Sequence, residues 1–317
     1  MLTFPPGRTA YGIQLPVQSQ STLYAEPWEA AAGPAELEAV ARAADRHGYA
    51  YIGCCDHVAV PRRLAGAMST VWYDPVATLA FLAAATERVA LLSHVAVVGL
   101  RHPLAVAKQY ATLDRLSAGR LVLGVGAGHV REEFEALGVD FAARGALLDE
   151  SVDALKAALG EEEFPSFAGR RYAFAGLGQQ PRPVQRPRPP LWVGGSSPRA
   201  VRRAALRGDG WLPQGDPREA LPPKIDRIRR LRAEAGLAAE PFTVGALAEP
   251  LYIGRPAWDV GRRTCHGAPA TVAEALRPYR AMGVTQLQLR FRSRCAEELL
   301  DQLALFAQDV APLLDER

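Results

Sequence analysis

No apolar run in this chain is long enough to span a bilayer. The first ten residues, with Phe4-Pro5-Pro6-Gly7 among them, lack the charged start and apolar core of a secretion signal. Neither sign of charge dominates, since 37 Lys and Arg stand against 34 Asp and Glu, and a net charge of +3 gives no electrostatic case for nucleic acid. The basic cluster Arg182, Arg186, Arg188 lies among prolines without interleaved aromatics and reads as a solvated loop. Cysteine is scarce: Cys54, Cys55, Cys265 and Cys295 form no CxxC pair, which argues against a zinc pattern or a disulfide framework and fits reduced thiols in a cytoplasm. What the chain has in quantity is apolar side chain, 49% of 317 residues, enough for a large buried core.

Strand-like runs alternate with helix-like ones from end to end, the pattern of parallel βα units. Strands are expected at Tyr11 to Leu15, Ala50 to Cys54, Val89 to Val95, Arg120 to Val125, Leu191 to Val193, Gly210 to Leu212, Phe242 to Ile253 and Val284 to Phe291. Between them, Pro34 opens a helix carrying Leu37, Val40, Ala41 and Ala44 at helical spacing, closed by Gly48. Further helices are expected at Pro75 to Thr86, Pro103 to Leu116, Glu132 to Leu137, Leu147 to Leu159, Pro198 to Arg207, Pro217 to Ala235, Thr271 to Met282 and Ala296 to Leu313. Residues 160–190, rich in Gly and Pro, form an irregular excursion. Eight such units make one α/β domain over residues 1–317, a (β/α)8 TIM barrel with loop insertions, whose chemistry belongs on the loops after the strands.

Those strand ends carry the candidates. Strand two ends in Asp56-His57, strand three in Ser93-His94-Val95, and strand four in Gly126-Ala127-Gly128-His129. One histidine at a strand end is as often structural as catalytic, but three of the chain's six at successive ends point to proton transfer near neutral pH. A metal reading is weaker, because strand one, Tyr11 to Leu15, lacks the HxH pair of metal-dependent barrel hydrolases. The run from Gly124 to His129 departs from the dinucleotide pattern at its last position, and its glycines suit backbone approaching a flat ring. Gly194-Gly195-Ser196-Ser197 before Pro198 joins free backbone N–H groups, two hydroxyls and a helix start, which suits a phosphate or a plain capped turn. Tyr24, Trp28, Trp72 and Tyr73 either line a substrate pocket or pack under a loop. Arg290 and Arg292 alternate along strand eight and share one side, where solvation is the simpler reading than an anion contact.

The ordered series Asp74-Pro75, Ala84-Ala85-Thr86-Glu87-Arg88, Arg101-His102-Pro103, Leu113-Asp114-Arg115-Leu116-Ser117, Gly119-Arg120 and Leu123-Gly124-Val125-Gly126, continued by Gly194-Gly195 and Gly208-Asp209-Gly210-Trp211, resembles the luciferase-like monooxygenase superfamily. Gln14-Leu15-Pro16, Cys55-Asp56-His57 and Gly126-Ala127-Gly128-His129 are similar to its coenzyme F420-dependent branch. The resemblance implies an F420-dependent oxidoreductase moving a hydride between the deazaflavin C5 and a small organic substrate. It places Asp56 and His57 beside the ring, a non-prolyl cis peptide near His94-Val95 behind it, Ser93, Gly126, Ala127 and Gly128 around it, and the cofactor phosphate on Gly194, Gly195 and Ser196. His129 stands where many such barrels carry a glutamate, so His57 and His129 compete for the proton. The alternatives are a two-component FMN monooxygenase with a flavin reductase partner and a cofactor-binding protein without turnover. A homodimer is the expected assembly.

Overall fold

The computed structural model describes residues 1–2, 9–22 and 24–315; Phe4-Pro5-Pro6-Gly7 and Leu23 lie outside the described residues. Eight parallel strands close into a barrel: β1 (Ala10–Gln14), β2 (Tyr51–Cys54), β3 (Ala90–Ser93), β4 (Leu121–Val125), β5 (Leu191–Gly194), β6 (Gly210–Leu212), β7 (Thr243–Leu247) and β8 (Gln286–Leu289). Each pairs with its sequence neighbours, and β8 returns to β1 through Ala10 opposite Gln286. The expected (β/α)8 architecture is therefore present.

Helices α1 (Pro34–Arg46), α2 (Pro75–Ala85), α3 (Pro103–Leu116), α4 (Arg144–Leu159), α5 (Pro198–Arg207), α6 (Leu221–Glu234), α7 (Pro269–Ala281) and α8 (Ala296–Leu305) cover the outside. Several start alike, with proline in the first turn and an oxygen accepting from an otherwise orphaned N–H: Asp74 from Ala77 ahead of α2, Ser197 from Ala200 ahead of α5. The outward residues of the strands, among them Ile52, Leu91, Leu123 and Val193, pack on Leu37, Leu79, Val106 and Leu155 from the helices. Inward residues form a second cluster, Tyr51, Ala90, Leu92, Val122, Trp192 and Leu212. Tyr51 and Trp192 meet edge to face at 6.1 Å, and Gly12 on β1 leaves the room that the Tyr51 ring fills. The barrel interior is thus packed, which pushes ligands to the rim.

One expected strand divides. The run from Phe242 to Ile253 supplies β7 and then breaks; Leu251–Ile253 pairs with Cys265–Gly267 and keeps one bridge, Leu251 to Phe291, with the chain leaving β8. Pro250 lies at the break and has no N–H to give a continuing ladder. Residues 160–190 hold only the hairpin Phe167–Ala168 and Ala173–Phe174, as their Gly and Pro content predicts. Among the described residues, no helix is long and apolar enough to cross a membrane.

Candidate functional site

In a closed parallel barrel all strand ends share one rim, so Asp56, His57, His94, His129, Gly195 and Ser196 open on the same face. They do not play the same parts there. Asp56 is 4% exposed, and both its oxygens are engaged: Oδ1 and Oδ2 accept from the Arg101 guanidinium at 2.8 and 2.7 Å, and Oδ2 accepts from the Val97 N–H at 2.8 Å. This fork ties the β2 loop to the β3 loop and withdraws the carboxylate that the sequence reading placed in catalysis.

His57 is differently placed. Its Nδ1 lies 3.2 Å from Glu133 Oε2, while Glu133 Oε1 accepts from the N–H groups of Val58 and Ala59 at 2.5 and 3.2 Å. Burial alone would raise the Glu133 carboxyl, but the hydrogen bond and charge of His57 and the two N–H groups hold it below its ordinary value. The His57 ring meets His129 edge-on at 5.3 Å and Trp72 at 4.5 Å. Partial burial, and next the neighbouring His57, lower the His129 pKa. Sequence reasoning found the two histidines and missed Glu133, which sits four residues beyond His129 in a short helix (Arg131–Ala136).

His94 follows β3 through a cis peptide bond to Val95, where the resemblance implied one. Burial pushes its imidazole down to about 4, and its sheltered Nδ1 has no hydrogen-bond partner among the described residues. Val95 explains two glycines. A Cβ on Gly126 would lie 2.5 Å from Val95 Cγ2, and one on Gly194 would lie 3.0 Å from Val95 Cγ1. At Gly128, a Cβ would meet Phe134 and Val97. The absent side chains just past β4 and on β5 make room for protein, where the sequence reading expected a flat ring; Ala127 likewise packs against the core.

Ser93 is fully buried, giving its hydroxyl to Gly124 O and accepting from Gly124 N, so it stitches β3 to β4 and is closed to a ligand. The double-glycine turn is also less open than its sequence suggests. Gly195 N–H donates to Leu212 O, the Ser196 hydroxyl both donates to and accepts from the Gln214 backbone, and Ser197 caps α5. Of the phosphate donors expected there, the Ser196 hydroxyl and the Gly195 N–H are therefore engaged within the protein, while Ser197 Oγ accepts the cap bond.

A cavity of about 1200 Å³ lies on the other half of the mouth, over the ends of β1, β7 and β8. None of the residues expected to bind cofactor lines it. Tyr24, Arg290 and Arg292 do, and the arginines are not simply solvated: Arg292 Nε lies 2.6 Å and Arg290 Nη2 3.9 Å from the buried Glu26 carboxylate. Of the other aromatics, Trp28 donates to Ser293 Oγ at 3.1 Å and, like Tyr73, packs on the core.

A sequence model described as luciferase-like monooxygenase matches residues 9–257. The chain belongs to that family. Family members are mostly oxidoreductases and monooxygenases. The luciferase-like barrel is 31% identical over 241 residues to an FMNH2-dependent dimethylsulfone monooxygenase of Pseudomonas putida, covering 75% of this chain and 61% of that one. It is 36% identical over 169 residues to an uncharacterised Mycobacterium tuberculosis protein, covering 53% of this chain and 57% of the relative. Matches to these curated relatives thus span less than two thirds of their length. An F420-dependent secondary alcohol dehydrogenase, solved with an F420-acetone adduct, shares the fold with a TM-score of 0.76 at 15% identity, over 97% of this chain and 99% of that one.

Proposed function

We propose that this chain is an oxidoreductase holding a flavin-type ring at the barrel mouth, F420 in the first reading, and moving a hydride to or from a small organic substrate. The observation that carries the reading is the His57–Glu133 pair. With Nδ1–H donated to Glu133, the lone pair of His57 sits on Nε2, ready to take a proton from a carbinol; in the other direction the imidazolium returns it to a carbonyl. Glu133 steadies the ring and offsets the positive charge that forms on it. His129 and Trp72 pack against the His57 ring at 5.3 and 4.5 Å.

The residues present fit such a ring. A polar ring edge supplies what the buried Nδ1 of His94 lacks, a hydrogen-bond partner. When bound, F420 supplies a carbon that gives or accepts the hydride. His94 and the β3 loop would hold the ring, and Asp56 positions that loop through Arg101 and Val97. FMN with a separate reductase is the second reading, favoured by the similarity to the dimethylsulfone monooxygenase. A homodimer fits α2, an apolar helix on which Phe81 remains 45% exposed.

Titrating purified protein with F420 and with FMN tests the reading. Submicromolar F420 binding and weak FMN binding are expected; tight FMN binding alone would reverse the order, and binding of neither would remove the proposal.

A further inference from the structure

The half of the mouth away from the histidines holds a charge arrangement that hydride transfer does not use. Arg290 and Arg292, on the same side of the chain leaving β8, both face the cavity and both turn toward Glu26, which is 5% exposed. The other interior carboxylate, Glu29, is turned to backbone, accepting from the N–H groups of Val17 and Glu26 at 2.8 Å each. Asp216 is tied to Lys224. Arg262, Arg263 and Glu249 are exposed at the rim, where solvent screens them. Two guanidinium groups therefore lie within ion-pair distance of the same carboxylate inside a half-enclosed cavity. Burial raises the pKa of Glu26 and of Glu29, whereas a guanidinium cannot be discharged.

The rest of the wall mixes polar side chains, Gln14, Ser19, Thr22 and Gln288 among them, with apolar ones such as Ile13 and Leu247. A pocket with two cations at one place and a mixed lining suits a small organic ligand with an acid group. We infer that the substrate is an organic anion of this kind, its acid group seated on Arg290 and Arg292 and displacing Glu26 as their counter-ion. This rests on reading the mouth as the site of a small-molecule redox substrate, and it names that substrate's class.

Isothermal titration of the purified chain with hexanoate, 1-hexanol and hexylammonium tests the inference. Hexanoate is expected to bind about ten-fold more tightly than the other two, the effect of one charge-assisted contact. Arg292→Met should abolish that preference, and Glu26→Gln, which removes the competing anion, should tighten hexanoate several-fold without tightening hexanol. Undetectable hexanoate binding, hexanol binding as tightly as hexanoate, or weaker hexanoate binding in Glu26→Gln would each overturn it. The Glu26→Gln arm holds even if Arg292→Met fails to fold. Selective hexanoate binding in a protein that takes up neither F420 nor FMN would support the anion pocket while removing the redox reading, so the two fail separately.

Discussion

His57 and Glu133 stand 76 residues apart in the chain, yet the imidazole Nδ1 and the carboxylate Oε2 meet at 3.2 Å where the loops after β2 and β4 converge. The same carboxylate holds the N–H groups of Val58 and Ala59, so it fixes the loop and the ring together. Burial leaves no water to do this in its place, since the Glu133 side chain is 1% exposed.

Glu133→Gln keeps the shape and removes the charge. Turnover should fall about 10- to 100-fold, the usual effect of losing the group that orients a working histidine, with cofactor affinity retained. The Glu133 pKa is held below its ordinary 4.5, so its contribution to stability is present above that pH and lost as pH falls through the lower folded value. Urea midpoints on the acid side should therefore drop less steeply in the variant than in the wild type.

Asp56 and Arg101 should behave as structure. Replacing one partner strands the other with little solvent, so Asp56→Asn and Arg101→Met should each cost about 3 kcal/mol. The double variant should lose less than the sum of the two, because it strands no charge. Chemical denaturation of the four proteins closes the cycle. A strictly additive result would show that the fork contributes no coupling.

Val95 gives a steric test of Gly126, just past β4, and of Gly194 on β5. Gly126→Ala places a methyl 2.5 Å from Val95 Cγ2 and should destabilise by about 1–3 kcal/mol. Val95→Ala in the same chain removes the opposing methyl and should restore most of that loss. If the space at Gly126 were instead kept for a ligand, the single variant would keep its melting temperature and lose cofactor affinity, and Val95→Ala would not rescue it.

These relationships show which parts of the molecule its sequence discloses. Pro103 to Leu116 and Pro198 to Arg207 were legible to the residue, because a first-turn proline and a run of buried apolar positions are local signals. Phe242 to Ile253 looked like one strand because β propensity continues across Pro250, whereas the ladder is interrupted there and resumes only as the Leu251–Phe291 bridge. Strand ends also pointed to residues that the closed barrel brings to one rim. What they could not show was direction or partnership: Ser93 sits at a strand end and faces Gly124, and Asp56 is spent on Arg101, 45 residues away. Arg290 and Arg292 looked solvated because Glu26, which they face, comes from the loop after β1 at the opposite end of the chain. Local pattern carries secondary structure; side-chain pairing between loops is fixed only when the barrel closes.

His94 offers a last test, and its sign can be worked out. Burial holds the folded imidazole at about 4, against an ordinary value of 6.5, so between those limits the unfolded chain binds more protons than the folded one. Stability should therefore be full above pH 6.5 and fall as pH drops toward 4. Glu26 and Glu29 act in the opposite sense, since burial raises both and their folded forms bind protons more readily than the unfolded chain does. A wild-type profile alone would mix these effects. Subtracting the profile of His94→Asn, which cannot titrate at that position, cancels the glutamates and leaves the histidine. The difference in denaturation midpoint should grow steadily from pH 6.5 to pH 4 in favour of the variant. A flat difference would mean that the imidazole is hydrated or partnered in solution, and the ring-binding role assigned to its Nδ1 would then lose its support.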